Sequence, residues 1–340
     1  MRNHRITTFS DLLYPNGTLM QKGYSTKAVM RYNRKHIKAP PWRIKEWDFY
    51  QVSNDDHCLQ LTIGHASYAG EVSAMLIDLN EKKTYAAKEI IALPFNRLHM
   101  PASAEHGDLA VRRKTIDMQF EVYRGGRRLR CRTRDPKTFP RMDVDIELSQ
   151  PDLESMVIAT PFDEDPRYFY YNHKINCMPA SGTVTFGDRT IAFEPETAFG
   201  LLDWGRGVWP FSHEWVWGSG SAWIGGKRFG FNIGFGFGNT EAATENMLFY
   251  DGNAHKLNEV YVDLAAGGYM SPKKITSDDG RFEMDFEPIY DRYTETKMLF
   301  VDNRCHQIFG RFNGKAVLDD GTVIDVKDMS GFVEHAVHRW

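Results

Sequence analysis

Along much of this chain apolar side chains return at every second position, and that rhythm limits what it can fold into more than any other feature. It runs through Cys58 to Ile63, Val72 to Leu79, Met142 to Leu148, Gly182 to Phe193, Phe229 to Phe237, Lys256 to Asp263, Phe282 to Phe286 and His306 to Phe312. Period two is the mark of a half-buried strand. Turn pairs punctuate the runs at hairpin spacing: Asp188-Arg189, Gly225-Gly226, Asp251-Gly252, Asp279-Gly280, Asn313-Gly314 and Asp320-Gly321. Helical periodicity is scarce, and its best stretch, Asn246 to Leu257, is broken by Gly252. The pattern predicts a mainly antiparallel β chain of about fifteen strands, too many for one small barrel, so two sheets or barrels are expected.

The interruption expected to divide them is acidic and Pro-rich: Gln150-Pro151-Asp152, then Pro161-Phe162-Asp163-Glu164-Asp165-Pro166. It places a boundary near Asp165, with residues 1–165 as one β-barrel or sandwich and 166–340 as a second. No repeat of fixed period is visible, which disfavours a propeller or solenoid. The 340 residues are 42% apolar and 26% charged, the balance of a folded globular chain. With 42 Lys+Arg against 45 Asp+Glu the net charge is -3, so no overall field draws the chain to nucleic acid. The basic run Arg124 to Lys137 reads as a charged hairpin on an exposed edge.

Arg2, His4 and Arg5 are followed by no apolar run, and no apolar stretch is long enough to span a bilayer. Cys58, Cys131, Cys177 and Cys305 stand singly, without metal or redox spacing. A cytoplasmic setting with reduced, mostly buried thiols is the expectation. His335 and His338, three apart near the end, lack a further ligand beside them, so no metal is expected.

From Asp203 the chain reads Asp-Trp-Gly-Arg-Gly-Val-Trp-Pro-Phe-Ser-His-Glu-Trp-Val-Trp-Gly, with Trp204, Trp209, Trp215 and Trp217 inside fourteen residues. If Trp209 to Trp217 is extended, Trp209, Phe211, His213, Trp215 and Trp217 share a face and set one histidine in an aromatic wall. Gly205, Gly207 and Pro210 make a helix costly there. Next, Phe229, Phe231, Ile233, Phe235 and Phe237 alternate with Gly230, Asn232, Gly234, Gly236 and Gly238. The bare face either lets two sheets approach or floors a cavity. The glycines are no dinucleotide fingerprint, because no βαβ unit surrounds them. No phosphate loop and no serine nucleophile elbow is present.

Asp203, Arg206, His213 and Glu214 supply acid and base within twelve residues. A carboxyl packed against indoles loses solvation and becomes a proton donor near neutral pH, which makes Asp203 the first candidate. The bland alternatives are an Asp203–Arg206 ion pair bracing a turn, and a satisfied core histidine at His213. Glu194 and Glu196 share a strand face on this reading. Asn172, His173, Lys174 and Asn176 form a polar cluster expected at the mouth of the second barrel.

Three segments carry a resemblance: Arg43-Ile44-Lys45-Glu46-Trp47-Asp48-Phe49-Tyr50, Asn176-Cys177-Met178-Pro179-Ala180-Ser181-Gly182, and Asp203-Trp204-Gly205-Arg206-Gly207 with Trp209-Pro210 and Trp215-Val216-Trp217. In these the chain resembles the domain of unknown function 2804 family. That family is distantly similar to the two-barrel, lipocalin-like (calycin) group of carotenoid 1,2-hydratase and AttH-type proteins. The resemblance implies two packed calycin-type antiparallel barrels and a reaction without a cofactor. It also places the acidic residue beside Trp at Asp203. Arg206, a permanent cation, departs from that group and opposes a carbocation there.

The leading expectation is a cofactor-independent hydratase, cyclase or hydrolase acting on a hydrophobic or amphiphilic small molecule in a cavity between the barrels. In it Asp203 is the acid, His213 or Glu214 the partner base, and Arg206 an anion anchor. Trp204, Trp209, Trp215 and Trp217 form the wall, with Asn176 and His173 as further substrate contacts. Two other readings use the same residues: a non-catalytic lipid or pigment carrier, and a carbohydrate-active enzyme built on Glu194 or Glu196 with Asp203.

Overall fold

In the computed structural model, which describes residues 3–134, 141–298 and 301–339, nearly every element is a strand. Among the described residues, thirteen strands form one curled antiparallel sheet and nine form a second. A further small pair, Ser10–Asp11 with Met30–Arg31, is parallel. Each large sheet wraps its own apolar core. The first is filled by side chains such as Leu59, Leu61, Phe120, Leu148 and Trp204. The second is filled by Phe229, Phe231, Phe282, Phe286 and Phe312. Two smaller clusters lie between the sheets, one around Trp209, Phe237 and Phe249, the other around Trp217, Phe309 and Phe332.

The changeover does not fall near Asp165. Phe169–Phe186, Arg189–Phe193 and Phe199–Val208 all pair within the first sheet, and the second begins at Ser212. The Pro-rich interruption is instead a hairpin connection, since Met156–Pro161 pairs directly with Phe169–Phe186. A Pro-rich turn marks the end of a strand but not which sheet the next one joins.

Other local expectations also change. Asn246 to Leu257 is no helix: Met247–Tyr250 and Asn253–Lys256 form a hairpin whose turn residues Asp251 and Gly252 both have positive φ, the geometry of the commonest two-residue hairpin turn. The basic segment is not an edge. Its strand, Gly126–Thr133, is paired on both sides, and Arg128, Arg130 and Arg132 meet Asp145, Glu121 and Asp143 across the ladder. The end of that run, through Lys137, lies outside the described residues, as does Trp340. Cys58, Cys131 and Cys177 are buried and Cys305 half-buried, all as free thiols. No helix among the described residues is long and apolar enough to cross a membrane.

One strand organises the rest. Phe199–Val208 is buried at all ten positions and lies between Phe169–Phe186 and Ile44–Ser53. Alternate residues point to opposite sides of a strand. Leu202, Trp204 and Val208 therefore enter the core of the first sheet, while Leu201 packs in a cluster between the sheets. Asp203 lies on the same side as Leu201.

Candidate active site

Three neighbouring strands place their side chains on that inter-sheet face in register. Asp203 is opposite Lys174 on one side and Phe49 on the other, and Gly205 is opposite Asn172 and Trp47. Asp203 is 8% exposed and receives three N–H groups. Asn172 Nδ2 donates to Oδ1 at 2.5 Å, Lys174 Nζ reaches the same oxygen at 3.0 Å, and Trp47 Nε1 donates to Oδ2 at 3.1 Å. The indole of Trp47 lies across Gly205, where a Cβ would stand 2.2 Å from its ring. Gly205→Ala is therefore expected to displace the indole from Asp203 and to cost about 1–3 kcal/mol of stability through overpacking. Chemical denaturation, with tryptophan fluorescence reporting the displaced ring, measures both.

The second sheet completes the cluster with Glu245, which the sequence reading missed. Its carboxylate is 3.7 Å from Lys174 Nζ, so one buried ammonium faces two carboxylates. Burial pushes the Glu245 carboxyl up to about 7; Lys174 opposes that rise and Asp203 reinforces it. The carboxyl raised toward neutral pH is that of Glu245. Asp203 accepts three N–H groups. The Lys174 ammonium also lies over the Trp217 ring at 4.2 Å. The Trp217 indole donates to Asn232 Oδ1 at 2.8 Å, and Asn232 Nδ2 donates to the Glu245 carbonyl at 2.6 Å.

The Gly-alternating strand, Lys227–Phe235, makes this approach possible. Its bare face is turned to the first sheet, where a Cβ on Gly230 would meet Cys177 Sγ at 2.4 Å; one on Gly234 would meet Glu245 Cβ, from the second sheet's own connection, at 3.0 Å. The glycines let sheets pack closely rather than floor a cavity. Gly236 has φ +91°, and past it Phe237 leaves the face of Phe229, Phe231 and Ile233 to pack between the sheets.

Beside the ionisable cluster lies a box of rings. Trp47 stacks on Tyr170 with centroids 6.0 Å apart, and Trp209 meets both edge-on. Phe237 contacts Tyr170, Trp209, His213 and Trp215. His213 stacks on Trp215 at 5.5 Å, and His338 packs on Trp215 at 4.6 Å. Burial pulls the His213 imidazole down to about 2, helped by Lys45 and His338, and pulls His338 down to about 3. Burial likewise lowers the Lys45 amine to about 6, with Arg43 adding to the effect. This end of the site therefore holds nitrogen bases in their neutral forms. Trp47, His213 and Trp215 are half-buried and form its rim. Hydrogen bonds continue from Trp215 Nε1 to Glu334 Oε1 (3.1 Å), and from Gln307 Nε2 to Glu334 Oε2 (3.2 Å).

Several expected site residues lie elsewhere. Arg206, three positions from Asp203, points the opposite way into the first sheet's interior. It pairs there with Asp48 at 2.8 Å, approaches Glu46 at 3.7 Å, and donates to the carbonyls of Trp47, Gly205 and Pro101. It is neither an anion anchor nor the ion-pair partner of Asp203. Trp204 lies beneath it, with Arg206 4.0 Å from its ring centre, so only Trp209, Trp215 and Trp217 join the wall. Phe211 is exposed, because the strand begins only at Ser212.

His173 also faces the first interior, bonded to Ser155 Oγ at 2.7 Å, with burial and Arg127 pulling its imidazole down to about 3. Asn176 donates to Ser219 Oγ at 2.8 Å and ties the sheets together, while Asn172 and Lys174 of the same polar cluster do reach Asp203. Glu214 points away from the site to His335 Nε2 at 2.7 Å. His335 in turn meets the Tyr269 hydroxyl, so the two C-terminal histidines diverge. Glu194 and Glu196 are exposed on a turn, not paired on a strand face. A groove of about 610 Å³ lies away from Asp203, lined by Ile91, Leu98, Leu109 and Arg112 among others.

Comparison with known proteins matches the chain to one family and its fold to solved structures. Residues 3–340 match the family described as domain of unknown function (DUF2804). The chain belongs to the DUF2804 family. Two solved structures share the fold of this DUF2804 chain. An AttH-like protein of Nitrosomonas europaea is 13% identical, with a TM-score of 0.55, over 91% of this chain and 98% of that one. Kievitone hydratase of Nectria haematococca is 10% identical, with a TM-score of 0.53, over 97% of this chain and 98% of that one. No curated protein matches by sequence. In this DUF2804 chain Trp47, Asp203 and Trp217, drawn from two widely separated motif segments, all contact the one cluster around Lys174.

Proposed function

We propose that this protein is a cofactor-independent, hydratase-like enzyme acting on a hydrophobic or amphiphilic small molecule, with Glu245 as general acid and Asp203 as the base that orients water. The observation that carries the reading is the shared Lys174 ammonium. It holds one carboxyl gripped by three N–H donors beside another that burial lifts to about 7. Two carboxyl groups set in such different surroundings can divide acid and base roles between them. Glu245 protonates a double bond, Asp203 takes the proton of the water that adds to the resulting cation, and the rings of Trp47, Tyr170 and Trp217 shield the charge. The objection posed by Arg206 falls, because that cation lies on the other side of the strand and is compensated there. Two carboxyls around one ammonium leave no excess positive charge to oppose a cation. The hydratase among the structural neighbours supports the reaction class. Substrate reaches Asp203 past the half-buried rim of Trp47 and Trp215, so those rings must move on binding.

The test is incubation of the purified protein with unsaturated amphiphiles in ¹⁸O-water, with product mass as the readout. The native protein is expected to incorporate one labelled oxygen. Asp203→Asn, with an unchanged circular dichroism spectrum, is expected to incorporate none; full incorporation by that variant would remove Asp203 from the mechanism. Return of every amphiphile unchanged, with one molecule retained per chain, would favour the carrier instead.

A further inference from the structure

The order of the first sheet ends at Lys83–Ala92 on one side and Leu109–Arg112 on the other, each with a single backbone-paired neighbour among the described residues. These two edges approach without hydrogen-bonding to each other. What joins them is a side chain: Glu89 accepts from Arg113 Nε at 3.0 Å, Thr115 N at 3.0 Å and Thr115 Oγ1 at 2.7 Å. Beyond that clamp the seam opens as the groove of about 610 Å³, within the range of roughly 300–1,000 Å³ typical of small-molecule sites. Its floor is the rim of the first core, Ile91, Leu109 and Val111.

The far wall is the loop after Ala92. Leu93, Phe95 and His99 all have φ near +50°, a conformation that costs energy for residues with side chains and persists where surrounding contacts hold it. Those contacts are visible. Leu93 N donates to the Tyr68 carbonyl, Phe95 N donates to the Ser67 carbonyl, and Arg206 reaches out of the interior to the carbonyl of Pro101. Such strained, over-determined loops concentrate at ligand clamps.

The rim is cationic. Of the arginines lining the groove, Arg113 is engaged by Glu89, while Arg97 and Arg112 are exposed; the nearest carboxylate to Arg112, Asp117, is 3.9 Å away. The one acid in the lining, Asp108, accepts from Val122 N at 2.9 Å. We infer that this seam is a second binding site, separate from the Asp203 cluster, for a soluble single-chain amphiphilic anion. The alkyl chain lies along Ile91, Leu109 and Val111, and the carboxylate meets Arg97 and Arg112. An extended peptide fits less well, because Lys83, Lys88 and Arg112 on the edge strands discourage strand addition.

Calorimetric titration below the micelle concentration tests this with dodecanoate and dodecyltrimethylammonium as probes. One dodecanoate per chain is expected, with the cation at least about tenfold weaker. Arg97→Glu combined with Arg112→Glu, and separately Ala110→Trp to fill the groove, should each weaken dodecanoate by at least about tenfold without moving the melting temperature. Asp203→Asn should bind it unchanged. Equal affinity for the cation, full affinity in Ala110→Trp, loss of binding in Asp203→Asn, or tighter capture of a Val/Thr-rich peptide than of dodecanoate would each overturn the assignment.

Discussion

Replacing Glu245 with glutamine is expected to lower turnover by about 10²–10⁴-fold, the usual loss when a general acid is removed. The amide keeps the shape of the side chain and leaves Lys174 its bond to Asp203, so the fold should survive. A donor whose carboxyl titrates at about 7 also sets the direction of the pH profile. Native activity should hold below that value and decline above it, and the decline should vanish in Glu245→Gln. The same shift bears on stability. Because the folded carboxyl binds its proton more tightly than the unfolded one at 4.5, its contribution is complete below pH 4.5 and lost as the pH rises through about 7. That difference is on the order of 3 kcal/mol. Urea titrations of native protein and Glu245→Gln across this window check the linkage; parallel curves would show that Glu245 does not titrate there.

A larger effect of opposite sign comes from three histidines. His173, His213 and His338 are held neutral by burial, with imidazoles lowered from 6.5 to about 3, 2 and 3. The unfolded chain binds protons that the native one refuses, so stability is complete above pH 6.5 and falls as the pH drops below it. Each histidine removes roughly 1.4 kcal/mol per pH unit, and His173, 2% exposed, contributes on the order of 5 kcal/mol in all. His213 and His338 are half-buried and count for less. Between pH 4.5 and 6.5 the three outweigh Glu245, and total stabilities of about 5–15 kcal/mol leave little in reserve. Acid unfolding is expected well above the ordinary carboxylate range. His173→Gln, which keeps a partner for Ser155, should move the acid midpoint down, as followed by circular dichroism; an unmoved midpoint would mean His173 is protonated in the native state.

The class of fold was plain in the period-two runs because nearly every strand has one buried face. What was not plain were the strands buried on both faces. Phe199–Val208 carries no alternation, so nothing local says that Asp203 and Arg206 leave it in opposite directions; only the assignment as a strand does, by counting. The same counting separates Trp204 from Trp209 and Glu214 from Trp215. Trp47 was within reach, since it lies in a motif segment, but its bond to Asp203 depends on a pairing across 156 residues. Glu245 gave no signal at all. It sits in an irregular stretch before Met247–Tyr250, and its burial follows from the packing of one sheet on the other.

The doubly buried strand has a further consequence. It is a partition with no outdoor side: one surface belongs to the room that Arg206 keeps neutral, the other to the room where Asp203 is gripped. A substitution at any of its ten places disturbs one chamber or the other, whereas Lys83–Ala92 has spare positions at every second step. A change in packing on either side can therefore be felt on the other through a single thickness of backbone.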